Sequence, residues 1–170
     1  LICRERQKEL APFMQQNFDY LFSVDDDIEI PTHALWKLVE NDKDICAGVY
    51  RLKDYDPNTA VRLPGNGPGW PEVLRKKMVV PAVYVSTGCM LVKREVVERM
   101  ITTYPELEYK RNVVADRAWA FYMPMIYRGE YLSEDWAFCQ RAKDAGFGIW
   151  VDGGVLCNHW GETKYTFDED

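Results

Sequence analysis

Three aspartates in a row, Asp25-Asp26-Asp27, close the largely apolar run Phe18-Asp19-Tyr20-Leu21-Phe22-Ser23-Val24. Adjacent carboxylates repel one another, and such a cluster is tolerated on a solvated turn or around a hard divalent cation. On extended backbone Asp25 and Asp27 fall on one side of the ribbon and Asp26 on the other, so the outer two could share a cation serving a phosphorylated ligand. An EF-hand is excluded: a calcium loop opening at Asp25 needs Gly at position 30 and Glu at position 36, where the chain has Ile30 and Trp36. Standing alone, the triplet reads as a solvated acidic turn.

A second acidic pair, Glu134-Asp135, follows Ser133. At a helix start it complements the helix dipole, worth roughly 0.3–1 kcal/mol. Alternatively, Asp135 serves as a general base for an incoming hydroxyl. A helix N-terminus stabilises a carboxylate, whereas a base must hold its proton more tightly, so that role calls for burial near other acids. His159 is one of two histidines and is followed by Trp160-Gly161, a setting suited to a metal ligand, a substrate contact or a structural imidazole. His33 falls in the first turn of a helix and reads as exposed. Gly88, in Ser86-Thr87-Gly88, marks a tight turn or a close backbone approach.

The elements that must position these groups follow from periodicity. Arg4 to Gln16 reads as a helix with Pro12 as a defect. Phe18 to Val24 reads as a buried strand, with the acids at its carboxyl end, where open α/β sheets bind ligands. Thr32 suits an N-cap for a short helix carrying Ala34, Leu35, Leu38 and Val39 and ending near Asn41, and Asp44 to Tyr50 is a second buried strand. This β-α-β order predicts a parallel pair.

Asp54 to Pro71 is dense in Pro and Gly and reads as an irregular loop. Its Gly65-x-Gly67-x-Gly69 is no dinucleotide fingerprint, because no strand leads into it, and the chain has no P-loop. Val79–Val85 and Cys89–Val92 read as strands and Arg94–Thr102 as a helix. Tyr104–Tyr131 has no clear period but many aromatics. Ser133–Gly146 is a helix with a good N-cap and a glycine stop, and further strands at Gly148–Asp152 and Val155–Asn158 lead to His159.

With 170 residues, 47% of them hydrophobic and 28% charged, the chain is expected to form a single globular domain spanning 1–170. Its net charge of −6 argues against a partner gripped through a nucleic-acid backbone, and a phosphorylated ligand would need a metal for local positive charge. No run is long and apolar enough to span a bilayer, and no signal-peptide pattern is seen. The five cysteines are scattered without a C-x-x-C, so a cytoplasmic, reducing setting is expected.

Taken in order, four phrases resemble the GT-A glycosyltransferases: Phe18-Asp19-Tyr20-Leu21-Phe22-Ser23-Val24-Asp25-Asp26-Asp27, Ser86-Thr87-Gly88-Cys89-Met90-Leu91-Val92, Leu132-Ser133-Glu134-Asp135-Trp136-Ala137-Phe138-Cys139, and Ile149-Trp150-Val151-Asp152 with the later His159. The resemblance spans nearly the whole chain. It implies an α/β fold, a GT-A-like (Rossmann-like) domain with a mixed, mostly parallel sheet flanked by helices. It also implies a UDP- or GDP-linked sugar donor, a carbohydrate or other hydroxyl acceptor, and Mn²⁺ or Mg²⁺ as cofactor. Asp25, Asp27 and His159 would be the metal ligands, Asp25, Asp26 and Gly88 would lie on the donor side, and Asp135, with Glu134 beside it, would match the family's acidic catalytic position and act as base on the acceptor hydroxyl. GT-A domains carry a nucleotide-binding strand and helix ahead of the Asp-x-Asp strand, and only 24 residues precede Asp25, so an N-terminally abbreviated domain or a fragment is implied.

Two other readings compete. A haloacid-dehalogenase-like phosphatase also uses a strand-end Asp-x-Asp, a later Ser or Thr (here Thr87) and downstream acids, but its usual Gly-Thr is replaced by Ile28-Glu29 and His159-Trp160-Gly161 would have no role. A non-catalytic nucleotide-sugar or carbohydrate-binding domain would keep the fold without turnover.

Overall fold

A computed structural model describes residues 2–54, 58–111 and 116–167. In chain order the elements begin with α1 (Ile2–Gln15), β1 (Tyr20–Val24), β2 (Ile28–Glu29), α2 (Ala34–Glu40) and β3 (Ile45–Val49). They continue with α3 (Trp70–Arg75), β4 (Val79–Pro81), β5 (Cys89–Lys93), α4 (Arg94–Thr103), β6 (Glu108–Arg111) and β7 (Asp116–Trp119). The last are β8 (Met125–Tyr127), β9 (Glu130–Leu132), α5 (Glu134–Asp144), β10 (Ile149–Leu156), β11 (Asn158–Trp160) and β12 (Lys164–Tyr165). No described helix is long and apolar enough to cross a membrane.

The chain divides into two compact units, one of residues 1–21 with 93–147 and one of residues 22–92 with 148–170. The second holds a five-stranded sheet of order β1-β5-β3-β10-β4. β3 is buried along its whole length, which fits the uninterrupted apolar run Ile45-Cys46-Ala47-Gly48-Val49. The mostly parallel sheet expected from the sequence is not what its described ladders show. β10 pairs with β3 in parallel, but β10 with β4 and β3 with β5 are antiparallel, so the fold is α/β with a mixed sheet. Nor are β1 and β3 neighbours, because β5 lies between them. β1 is an edge strand, so Phe18 and Val24 are exposed where burial was expected.

Other departures are local. Pro12 sits inside α1 without ending it, and the Gln16 N–H still reaches the Pro12 carbonyl at 3.2 Å. The expected loop gives way at its end to α3, with Pro71 in the first turn, where its missing N–H has no intrahelical acceptor to lose. The expected strands on either side of Gly153-Gly154 are one strand, β10, with a register shift between Val151 and Leu156. Asp152 is fully buried there and accepts from Asn41 Nδ2 and the Gly154 N–H, both at 2.7 Å. Part of the expected loop 54–71, residues 55–57, lies outside the described residues.

In the first unit, α5 follows its sequence signals closely. Ser133 is its N-cap, though without a side-chain capping bond, and Gly146 adopts φ +100° just past its end. The aperiodic stretch before it contains two hairpins, β6–β7 and β8–β9. The second turns through Arg128 and Gly129 at φ +51° and +84°, the left-handed pair that matches strand twist in a two-residue loop. Several of its aromatics are core: Phe121 and Tyr122 are fully buried, and Tyr122 stacks on Phe138 with ring centroids 4.5 Å apart. Cys46, Cys89, Cys139 and Cys157 are buried and form no disulfide, and burial pushes the Cys46 thiol up to about 12.

Candidate functional site

The three aspartates lie on a tight turn rather than on extended backbone. The Ile28 N–H donates to the Asp25 carbonyl at 3.1 Å, closing the turn between β1 and β2. The alternation survives in another form, since Asp26 is exposed while Asp25 and Asp27 are partly buried. The Asp25 N–H donates to the Gly88 carbonyl at 3.3 Å, which ties the acidic turn to the entry of β5.

β2 then pairs with β11, matching Ile28 to His159, and the Trp160 N–H donates to the Asp27 carbonyl at 2.8 Å. This ladder carries the histidine of the chain's end to the aspartate near its start. His159 Nε2 lies 3.4 Å from Asp27 Oδ2. Its other ring nitrogen, Nδ1, lies 2.8 Å from the Arg51 carbonyl oxygen, which can only accept. Nδ1 therefore carries the hydrogen, and in the neutral ring Nε2 presents its lone pair towards the carboxylate.

Two residues that sequence reasoning passed over complete the arrangement, both just beyond the carboxyl end of β3. Tyr50 sets the edge of its ring against His159, with centroids 5.3 Å apart, and shares a 2.6 Å hydrogen bond with Ser86 Oγ. A Cβ on Gly88 would stand 2.5 Å from Tyr50 Oη, so what the glycine admits is this phenol. Lys53 Nζ lies 2.6 Å from Asp27 Oδ2, the oxygen that His159 faces. The rule that ligands gather beyond strand ends was the one available pointer to both. Nearby, Trp160 is 48% exposed, with its indole N–H on Glu29 Oε2 at 2.8 Å.

Partial burial pushes the Asp27 carboxyl upward. The hydrogen bond from Lys53 and the charges of His159 and Lys53 outweigh that and hold it below its ordinary value of 3.8. The sign follows: with the folded value depressed, the contribution is complete above 3.8 and is lost as pH falls through the folded value. Wild type and Asp27→Asn should thus differ in melting temperature near neutrality and converge in acid. A gap that stays constant throughout the acid range would show that charge is not its source.

The expected metal ligands are brought together only in part. Asp27 and His159 meet, but among the described residues no three His, Cys, Asp or Glu side chains are grouped to hold a metal ion, so Asp25 does not complete a triad. Two protein donors with phosphate oxygens supplying the remainder is an ordinary arrangement for a small divalent cation. With Nε2 bare and its partner nitrogen held by a carbonyl, Asp27 and His159 fit a cation shared with a phosphorylated ligand, not one caged by the protein alone.

Asp135 and Glu134 belong to the first unit, at the start of α5. Asp135 is buried, and Arg6 Nη1 donates to its Oδ1 at 2.7 Å. Burial, with the Asp135 charge next in weight, pushes the Tyr122 phenol well above its ordinary value. Asp135 thus has a structural partner that its position in the sequence did not disclose.

No protein-family model matches the chain, and no curated protein does. Among solved structures the chain is similar to A197 from STIV, at 15% identity, covering 100% of this chain and 78% of that one, with a TM-score of 0.59. At that identity the likeness concerns the fold alone.

Proposed function

We propose that the chain is a glycosyltransferase of GT-A-like fold, moving a sugar from a nucleoside-diphosphate donor to a hydroxyl acceptor with the help of Mn²⁺ or Mg²⁺. The observation that carries this reading is the Asp27–His159 pair, with Nε2 3.4 Å from the carboxylate and Nδ1 2.8 Å from the Arg51 carbonyl oxygen. A cation held there jointly with the donor would act as a Lewis acid on the departing diphosphate. Asp27 and His159 are its proposed holders, and Asp25 and Asp26 are placed on the nucleotide side by the resemblance. The exposed face of Trp160, one residue beyond His159, suits stacking against a sugar ring. Gly88 has its own reason in the fold, and its part is to let Tyr50 back the imidazole. Asp135 is kept as the candidate base, with Glu134 beside it, on the resemblance alone.

Calorimetric titration of UDP and GDP, with Mn²⁺ and with EDTA, tests the reading on wild type and Asp27→Ala. One nucleotide should bind only with metal, and the variant should bind it at least about tenfold more weakly, a loss of ~1.4 kcal/mol. Binding that persists in EDTA, or no binding of either nucleotide by the folded wild type, would overturn it.

A further inference from the structure

We infer that Lys53 is a resident cation that occupies the Asp27–His159 pair, bars divalent metal from it, and moves to phosphate when a phosphorylated ligand arrives. The ligand class rests on the function proposed above, whereas the barring of metal rests on geometry. Lys53 Nζ sits 2.6 Å from Asp27 Oδ2, on the oxygen that His159 Nε2 faces at 3.4 Å. A metal bound to that oxygen would stand at roughly 2.0–2.2 Å, with a second positive charge beside it at hydrogen-bond range, and the two repel strongly.

The fold guides the lysine to this place. A Cβ on Gly161 would meet Lys53 Cδ at 3.2 Å and Cε at 3.5 Å, so the stem runs close over residue 161, where a side chain would crowd it by a few tenths of an ångström. The side chain is still 37% exposed. Rotation of its four-carbon stem can therefore release the ammonium without disturbing the sheet. A lysine head carries three donors on a flexible stem and binds phosphate as a point charge. A ligand that brings phosphate and metal together supplies the lysine with a new acceptor as Asp27 is taken over. Glu29, the next acid along, is already matched by Lys164 at 3.4 Å.

The test uses Mn²⁺ alone, followed by the loss of its free-ion paramagnetic resonance signal, on the folded wild type, Lys53→Met and Asp27→Asn/Lys53→Met. Lys53→Met keeps the stem, removes the charge, and should bind Mn²⁺ roughly fivefold more tightly than wild type, the competition expected from one half-exposed ion pair. The double variant should lose that gain. Gly161→Ala, which crowds the stem but keeps the charge, should move affinity the same way by less. Inorganic pyrophosphate should narrow the gap in Mn²⁺ affinity between wild type and Lys53→Met, and should itself bind more weakly to Lys53→Met. Equal Mn²⁺ affinity in wild type and Lys53→Met, no Mn²⁺ binding in either, or a gain that persists without Asp27 would overturn the inference. So would pyrophosphate binding unchanged by Lys53→Met. Because the metal arm contains no nucleotide, a failure of UDP and GDP to bind would count against the proposed function and not against the barring lysine.

Discussion

Gly88→Ala should cost about 2–4 kcal/mol and lower the melting temperature by roughly 5–15 °C. The new Cβ would lie 2.5 Å from Tyr50 Oη, 2.7 Å from Cζ and 2.8 Å from Cε1, all inside contact distance. Tyr50 has nowhere to retreat, because it is 4% exposed, bonded to Ser86 Oγ and set edge-on against His159. Overpacking accounts for about 1–3 kcal/mol of the cost and the broken hydrogen bond for about 1 kcal/mol more. A displaced Tyr50 also loosens the imidazole, so any Mn²⁺ or nucleotide affinity at Asp27–His159 should fall together with stability.

The cycle with Tyr50→Leu identifies the cause. If the clash is the mechanism, the double variant loses less than the sum of the two single ones, because the leucine leaves the space that the new methyl needs. Strictly additive losses measured by denaturant titration would place the cost of Gly88→Ala elsewhere, for example in the turn itself.

Those residues also mark how far the sequence could be read. α5 was legible because its signals are local: Ser133 before it and Gly146 after it. The acidic turn and the buried β3 were legible for the same reason. What escaped depended on pairing between distant segments. β5 inserts between β1 and β3, a choice made by long-range strand pairing that no window of the sequence displays. The short strands β6 to β9 carry few alternating apolar residues, so their pairing is not displayed by local periodicity. Lys53 is an ordinary polar loop residue by composition. It becomes part of the site because β2 and β11 pair and its stem runs close over Gly161.

Asp135→Asn and Arg6→Met should each cost about 3–5 kcal/mol, among the largest single-site losses outside the apolar core. The pair is 2.7 Å apart, with side chains 14% and 11% exposed, so removing either partner takes this ion pair from a group that stays largely buried. This exceeds the roughly 0.3–1 kcal/mol that an acid gains from a helix N-terminus, so the ion pair, not the helix dipole, is the dominant structural reason for an acid at 135. It also confounds an assay of the proposed transfer, because an Asp135→Asn variant without activity is at the same time a destabilised one. Arg6→Met/Asp135→Leu separates the two roles. Replacing a buried ion pair by apolar groups of similar size is often close to neutral, so the double variant should recover most of the stability lost by either single one. Sugar transfer surviving in that folded double variant would remove Asp135 from the chemistry and leave it a structural acid. Transfer lost with stability restored would keep it as the base, because no difference in folding would then remain to explain the loss.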